Sequence, residues 1–131
     1  MSSRLELKLS ACMLYVYSNL TLGNAKASGR GLEIIRECLR KEMEAPTSER
    51  NTAYCVFAGY MGTVLLHLST EELPDMKKYM SSLPQGLRIF AANVISHDLY
   101  LKGEYSRALG ICDAALFSCK EIYPVGMIYL Y

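Results

Sequence analysis

The chain has 131 residues, of which 51% are hydrophobic and 21% are charged, a composition that fits one soluble globular domain and argues against disorder. Lysine and arginine number 14 against 13 for aspartate and glutamate, so no field of one sign would draw this chain onto nucleic acid or an anionic membrane. Residues 9–25 and 51–70 lack charged side chains, but polar residues interrupt both, and we expect buried helices rather than membrane spans.

Two helices are predicted at the start of the chain. Residues 3–6 have the Ser-x-x-Glu form of a capping box, so we expect a helix from there to about Leu22. Gly23 and Asn24 end this helix, because both residues tolerate the left-handed conformation that closes a helix. A second, amphipathic helix is indicated by apolar residues at three- and four-residue steps over residues 32–43.

A third helix and a short fourth one are predicted in the middle of the chain. Pro46 stops the second helix, because proline disfavours helical geometry in the preceding residue, and Ser48 can cap the third. The apolar stripe of this third helix is wide, so we expect it to be central. Residues 69–72 form another capping box and predict a short helix that ends near Ser82, although Pro74 leaves its start open between Ser69 and Leu73.

Two longer helices are predicted in the last third. Pro84 and Gly86 open one that Gly103 closes, and another runs over about residues 104–120. No stretch alternates with period two over a convincing length, so we expect no sheet. The predicted fold class is all-α, with antiparallel hairpins of six to seven helices in a single domain (residues 1–131).

No catalytic constellation is visible in the sequence, and we expect neither an enzyme nor a metal or cofactor site. His67 and His97 have no carboxylate or thiol at metal-ligand spacing, so a hydrogen-bonded structural role is expected for both. The cysteines contain no C-x-x-C motif, and we expect reduced, buried small side chains in a cytoplasmic protein. They are Cys12, Cys38, Cys55, Cys112 and Cys119.

The most informative segment spans residues 92–120, where a Gly-Glu-Tyr turn begins at Gly103 and alanines follow at positions 108 and 115. This pattern resembles a tetratricopeptide repeat (TPR), in which such a turn joins two helices and small alanines let the second nest against the first. The resemblance implies that Gly103 reverses the chain and Tyr105 fills the wedge between helices, with Ala108 and Ala115 permitting close approach. It implies a short TPR-like α-solenoid of stacked hairpins.

A second resemblance covers residues 83–131. Its motifs are Leu-Pro-Gln-Gly-Leu at 83–87, Tyr-Leu-Lys-Gly-Glu-Tyr at 100–105, Leu-Gly-Ile at 109–111 and Tyr-Pro at 123–124. They are similar to the TPR-like region of LuxR-family transcriptional regulators of the MalT type, in which a helical repeat region receives a signal and a C-terminal helix-turn-helix domain binds promoter DNA. The resemblance implies a signal-sensing or protein-interaction region that reaches DNA only through a helix-turn-helix domain outside this chain. A freestanding TPR-like adaptor that scaffolds protein partners is the alternative.

The apolar end of the chain, residues 126–131, lacks a cap and looks like the first turns of another helix. We therefore expect an excised or truncated region of a longer regulator, with a homodimer as a further option because the tail is apolar. A short terminal helix that folds back onto the core is the alternative.

The repeat register also predicts a binding surface. In that register the first helix of the last pair lines the concave side, and five of its residues point inward at steps offset from the core stripe. We predict that these residues contact a protein partner or a small-molecule effector. They are Phe90, Asn93, His97, Tyr100 and Leu101.

Overall fold

A computed structural model describes the backbone of residues 4–122 and the side chains of residues 4–116. Over this part of the chain the structure has helices and turns and no strand, which confirms the predicted all-α class. None of the described helices has the length and apolar character needed to cross a membrane. The α-helices are α1 (Arg4–Thr21), α2 (Ala25–Glu44), α3 (Glu49–Leu65), α4 (Gln85–Leu101) and α5 (Tyr105–Ile122), and a 3-10 helix covers Met76–Ser82.

The helices group into two compact units, residues 1–83 and residues 84–131. In the first unit α1, α2 and α3 pack on one another, and the 3-10 helix packs on α3. In the second unit α4 and α5 form a helix hairpin. The single domain and the stacking of hairpins into a solenoid stay predictions.

The third helix is the centre of the first unit, as its wide apolar stripe predicts. Residues 52–59 of α3 are all buried, and two glycines on this helix face leucines of α2. A Cβ at Gly62 would come within 2.8 Å of Leu32 Cδ1, and one at Gly59 within 3.1 Å of Leu39 Cδ2. The absence of side chains at these two positions therefore lets α2 and α3 approach closely.

Side-chain caps start both α2 and α3, and the cap of α3 is the predicted one. The Ser48 hydroxyl accepts a hydrogen bond from the Asn51 N–H at 3.0 Å, which confirms Ser48 as the cap of α3. Asn24 does the same for α2, accepting from the Ala27 N–H at 3.2 Å. One residue pair, Gly23 and Asn24, thus ends α1 and begins α2.

The capping box at residues 69–72 starts no helix, and the short helix that the sequence predicts to end near Ser82 begins later than the predicted start between Ser69 and Leu73. A helix starting there would have to run through Pro74, which lacks an N–H and disfavours helical geometry in the residue before it. The ordered turn comes later, as the 3-10 helix Met76–Ser82. Asp75 caps it by accepting a hydrogen bond from the Lys77 N–H at 3.1 Å.

The same turn ends α1, α3 and α4. In each turn three successive N–H groups donate to carbonyls four, three and five residues back along the chain. The middle residue of each has a positive φ, which is 79° at Gly23, 57° at His67 and 80° at Gly103. Gly103 therefore reverses the chain as predicted, and α3 ends in the same way with a histidine in the place of a glycine.

This comparison predicts that His67→Gly stabilises the protein. A residue with a Cβ pays a conformational cost of about 1 kcal/mol in the left-handed region, which glycine does not. We expect the free energy of unfolding, measured by urea denaturation, to rise by about 1 kcal/mol. His67→Ala is the control, because it removes the imidazole and keeps the Cβ; an equal gain from alanine would show that the backbone conformation is not the cause.

The two helix hairpins make the same crossing contact through different side chains. In the α1–α2 hairpin the Ser28 hydroxyl donates to the Val16 carbonyl at 3.0 Å. In the α4–α5 hairpin the Ser96 hydroxyl donates to the Ala108 carbonyl at 3.0 Å. Both contacts join the residue seven positions before the turn glycine to the residue five positions after it, so a small side chain at this crossing is a shared feature of the hairpins.

At matched positions of the two hairpins, large and small side chains are on opposite helices. Val16 is fully buried, and a Cβ at Gly31 of α2 would lie 2.7 Å from its Cγ2. In the second hairpin the small Ser96 has the position of Val16, and Ile111, eight residues after the turn glycine, has the position of Gly31. The large side chain is thus on the first helix of one hairpin and on the second helix of the other.

Candidate functional site

The five residues predicted to contact a partner share the solvent-facing side of α4. Phe90 is 53% exposed, Tyr100 60% and Leu101 51%. His97 is also exposed, and Asn93 is half-buried. We call this surface, made by these five residues, the α4 face; its role in binding stays a prediction.

Tyr105 extends the α4 face instead of filling the space between the helices. It is 63% exposed, and its ring centroid lies 5.4 Å from that of Tyr100. The prediction that Tyr105 fills the wedge is wrong, because it is the first residue of α5 and its side chain points back towards the turn. Ala108 is 6% exposed at the helix crossing, as predicted, and Ala115 is half-buried.

Both histidines contact water rather than the core. His67 and His97 are exposed, and neither side chain is hydrogen-bonded to another described residue, so the expected structural role is wrong for both. His97 instead lies between Asn93 and Tyr100 on the α4 face. Among the residues that the structure describes, no three histidine, cysteine, aspartate or glutamate side chains are arranged to hold a metal ion.

The cysteines differ in exposure, which corrects the expectation that all are buried. Cys55 is fully buried, Cys12 and Cys38 are half-buried, and Cys112 is exposed; the side chain of Cys119 lies outside the described residues. Burial, with a smaller effect from the Glu42 carboxylate, raises the pKa of the Cys55 thiol to about 12. Because the thiolate is the reactive form, the Cys55 thiol is unreactive at neutral pH.

Alkylation should therefore distinguish the exposed Cys112 thiol from the buried Cys55 thiol. At pH 7.5 and in the folded protein, we expect iodoacetamide to modify Cys112 while Cys55 stays unmodified, because Cys55 is both inaccessible and protonated. Peptide mass spectrometry measures the two sites in one sample, and the same reaction in urea is the control in which both should react. Equal rates at both cysteines in the folded protein would contradict the burial of Cys55.

A second candidate site is a groove in the first unit, which we call the α1–α2 groove. It lies between α1 and α2, extends to the start of α3, and has a volume of about 810 Å³. Apolar, basic and acidic side chains line it, and several of them are exposed to solvent. The lining residues used below are Leu5, Ile34 and Cys38, which are apolar, and Lys8, Arg30 and Lys41, which are basic.

Glu42 fixes the end of this groove beside α3. Its side chain is almost fully buried and accepts hydrogen bonds from the Thr47 N–H at 2.9 Å, the Thr47 hydroxyl at 2.9 Å and the Thr52 hydroxyl at 2.8 Å. Burial alone would raise the pKa of Glu42, but these bonds and one from the Ser48 N–H hold it below its usual value of 4.5. The carboxylate also faces the start of α3, where the helix dipole favours a negative charge.

Two polar contacts hold α1 against α3 and so position one wall of the groove. Arg50 Nε donates to Glu6 Oε1 at 2.5 Å, and the Glu6 side chain is 3% exposed. Further along α1, the hydroxyls of Ser10 and Tyr54 are 2.7 Å apart. Because both contacts link residues 44 apart in the chain, α1 is fixed by tertiary packing and not only by its turn with α2.

The sequence does not predict this groove, because its two walls are distant along the chain. The available signals were weak. Arg30, Ile34 and Cys38 recur at four-residue steps, which places them on one helix face but does not show that the face is open. Glu42 is an acid in the last turns of α2, where the helix dipole disfavours it, and this conflict could have indicated a partner in the Thr-Ser segment that follows.

Comparisons with protein-family models, with curated proteins and with solved structures find no match to this chain. The resemblance to the TPR-like region of LuxR-family regulators therefore stays a prediction. The α4 face and the α1–α2 groove are interpreted from their own chemistry.

Proposed function

We propose that this chain is a protein-interaction region built of TPR-like helix pairs, and that the α4 face binds the partner. The observation that carries the proposal is that Phe90, Tyr100 and Leu101 are each more than half exposed on one side of one helix. Burying a large apolar side chain completely contributes about 1.5–3 kcal/mol. Aromatic side chains of this kind commonly dominate the energy of protein interfaces.

The polar groups on the α4 face support a directional contact. Asn93 and His97 lie between the apolar residues, and the hydroxyls of Tyr100 and Tyr105 can bond to a partner. Residues 90–101 extend about 16 Å along the helix axis at 1.5 Å per residue. A surface of this length, apolar with polar groups between, suits a helix or an extended segment of another protein.

The regulatory context of the proposal depends on the family resemblance of residues 83–131. If the chain belongs to a LuxR-family regulator of the MalT type, partner binding at the α4 face would control transcription in the cytoplasm, and a helix-turn-helix domain outside this chain would contact DNA. The alternative is a freestanding adaptor. The coding sequence after Tyr131 separates the two, because a helix-turn-helix segment favours the regulator and an early stop codon favours the adaptor.

Site-specific photo-crosslinking in the producing cell tests the α4 face. The photoreactive p-benzoylphenylalanine would replace Phe90, and for comparison Leu109, an equally exposed apolar residue of α5 that is outside the face. We expect a discrete protein adduct from position 90 and none from position 109. An adduct of twice the chain mass would identify the partner as a second copy.

Substitution then tests the same surface. Replacing Asn93, His97 and Tyr100 together by alanine should abolish the adduct from position 90 and leave the helical content in circular dichroism unchanged, because His97 and Tyr100 are exposed and Asn93 is only half-buried. Equal adducts from positions 90 and 109, or an adduct that survives the triple substitution, would remove the α4 face as the binding site.

A further inference from the structure

We propose that the outward side of α1 binds a second copy of this chain, with the two α1 helices packed antiparallel across a two-fold axis. This surface belongs to the first unit, shares no residue with the α4 face and goes beyond the function proposed above. It consists of five exposed residues at alternating four- and three-residue steps along one side of the helix, and we call it the α1 stripe. They are Leu7, Ala11, Leu14, Ser18 and Thr21.

The α1 stripe lacks the charged side chains that the solvent-facing side of a surface helix carries. Residues 9–25 contain no aspartate, glutamate, lysine or arginine, and the two leucines of the stripe are more than 60% exposed. The exposed side of α2 shows the contrast, because Arg40 there forms ion pairs with Glu37 and Glu44. A charged partner surface would have its charges desolvated against the α1 stripe, so the stripe favours a partner surface that is itself uncharged.

The order of large and small residues in the α1 stripe is complementary to its own reverse. Leu7 and Leu14 are seven residues apart, as are Ala11 and Ser18, which is the repeat of helices that pack lengthwise on each other. With the two-fold axis between residues 12 and 13, Leu7 of each copy faces Ser18 of the other, and Leu14 faces Ala11.

Every one of these four layers combines a leucine with a small residue, which fills the space evenly and lets the two backbones approach closely. A parallel pair would instead place leucine against leucine and small residue against small residue, which leaves voids between the bulky layers. A contact in which the same surface serves both partners is the usual form of a two-fold dimer. The pattern therefore selects a second copy as the occupant, in the antiparallel orientation.

The charge at the two ends of α1 also fits this arrangement. The helix has no basic residue in its last turn, where the helix dipole favours a positive charge. Arg4 is exposed and lies three residues before Leu7 on the same side of the helix. In the antiparallel pair Arg4 faces Thr21 of the second copy, so each copy supplies a cation to the end of the other helix.

The α1 stripe is a firmly held surface of limited size. The contacts of α1 with α3 described above fix the helix, and Leu9 and Val16 on its inner side are fully buried. The helix has 18 residues, or about 27 Å at 1.5 Å per residue. Four layers along one helix pair are a small contact beside the roughly 1,200–2,000 Å² of a standard interface, so we expect a dissociation constant on the order of 10–100 μM.

Sedimentation equilibrium of the whole 131-residue chain tests the proposal. We expect a monomer at about 1 μM and mainly dimer at about 500 μM. Leu14→Gln should weaken dimerisation at least about tenfold, because both copies lose a buried leucine. Leu109→Gln removes a similarly exposed leucine from α5 and should leave the dissociation constant within about twofold. A chain that stays monomeric at about 500 μM, or equal losses in the two variants, would overturn the proposal.

Disulfide trapping tests the antiparallel register. In a background of Cys112→Ser with Cys119→Ser, oxidised glutathione should join Leu7→Cys to Ser18→Cys when the two variants are mixed, because these positions face each other. Neither variant alone should form a disulfide dimer, since each position would be about 16 Å along the helix axis from its own copy. Intact mass spectrometry measures the dimers, and equal dimer formation by either variant alone would overturn the register. The alanine variant of the α4 face should dimerise as the wild type does, so the two proposals can fail independently.

Discussion

Replacing Glu42 by glutamine is expected to lower the free energy of unfolding by about 2–3 kcal/mol at pH 7, because the substitution removes a buried charge that accepts three side-chain and backbone hydrogen bonds. Glutamine has nearly the same shape, so the loss reports on charge and hydrogen bonding and not on a cavity. An amide nitrogen would also face the donors of Thr47 or Thr52. Urea denaturation followed by circular dichroism measures the change.

Glu44→Gln is the matched control for this prediction. Glu44 is two residues away on α2, and its carboxylate pairs with Arg40 at 2.8 Å, but 66% of its side chain is exposed. Exposed ion pairs contribute about 0–1 kcal/mol, so this variant should be close to the wild type. A loss at Glu42 no larger than that at Glu44 would mean that the Glu42 carboxylate does not hold the loop between α2 and α3.

The Glu42 carboxylate also makes the free energy of unfolding depend on pH, in a direction that its pKa shift determines. Hydrogen bonds hold the folded-state pKa of Glu42 below 4.5. Between the folded-state pKa and about pH 4.5, the unfolded chain therefore binds more protons at this site than the folded chain, and the free energy of unfolding rises with pH. The contribution is fully present above pH 4.5 and disappears as the pH falls through the lower folded pKa. The difference in stability between wild type and Glu42→Gln should therefore shrink on acidification; a constant difference would contradict this.

Gly31→Ala is the second substitution with a large expected effect. The added Cβ would lie 2.7 Å from Val16 Cγ2 and 3.0 Å from Tyr15 Cδ1, and Val16 is buried with a stiff, β-branched side chain. Overpacking costs about 1–3 kcal/mol, while the better helix propensity of alanine returns about 1 kcal/mol. We expect a net loss of up to about 2 kcal/mol in urea denaturation.

Gly29 of the same helix provides the control. A Cβ at Gly29 meets no atom within 4 Å, so Gly29→Ala should stabilise the protein by about 0.5–1 kcal/mol through helix propensity alone. A double-mutant cycle completes the test: in a Val16→Ala background, Gly31→Ala should no longer destabilise. If Gly31→Ala stabilises the wild type as much as Gly29→Ala does, close packing at this crossing is refuted.

The helix boundaries could be predicted where the signal is local. The Ser48 cap and the reversal at Gly103 depend on neighbouring residues, and both are present in the structure. The same turn after α3 was not predicted, because its left-handed position holds His67 and not the expected glycine. The short helix predicted to end near Ser82 is present, but it begins at Met76 and not between Ser69 and Leu73, because Pro74 follows the capping box at residues 69–72.

Side-chain positions that depend on packing between helices were harder to predict. Helical periodicity gave the shared exposed side of α4, because the three- and four-residue steps depend only on one helix. It could not give the exposure of Tyr105, which follows from the place of this residue at the start of α5. Nor could it give the α1–α2 groove, since the distance between Lys8 and Lys41 in space depends on how two helices cross.

The opposite placement of bulk in the two hairpins makes their helices non-interchangeable. In a chimera that joins α4 to α2, Ser96 would meet Gly31, and two small side chains would leave a void. In the reverse chimera, with α1 followed by α5, Val16 and Ile111 would compete for one space. Each first helix is thus specific for its own successor, which protects the chain from mispairing between two hairpins whose turns have the same backbone hydrogen-bond pattern.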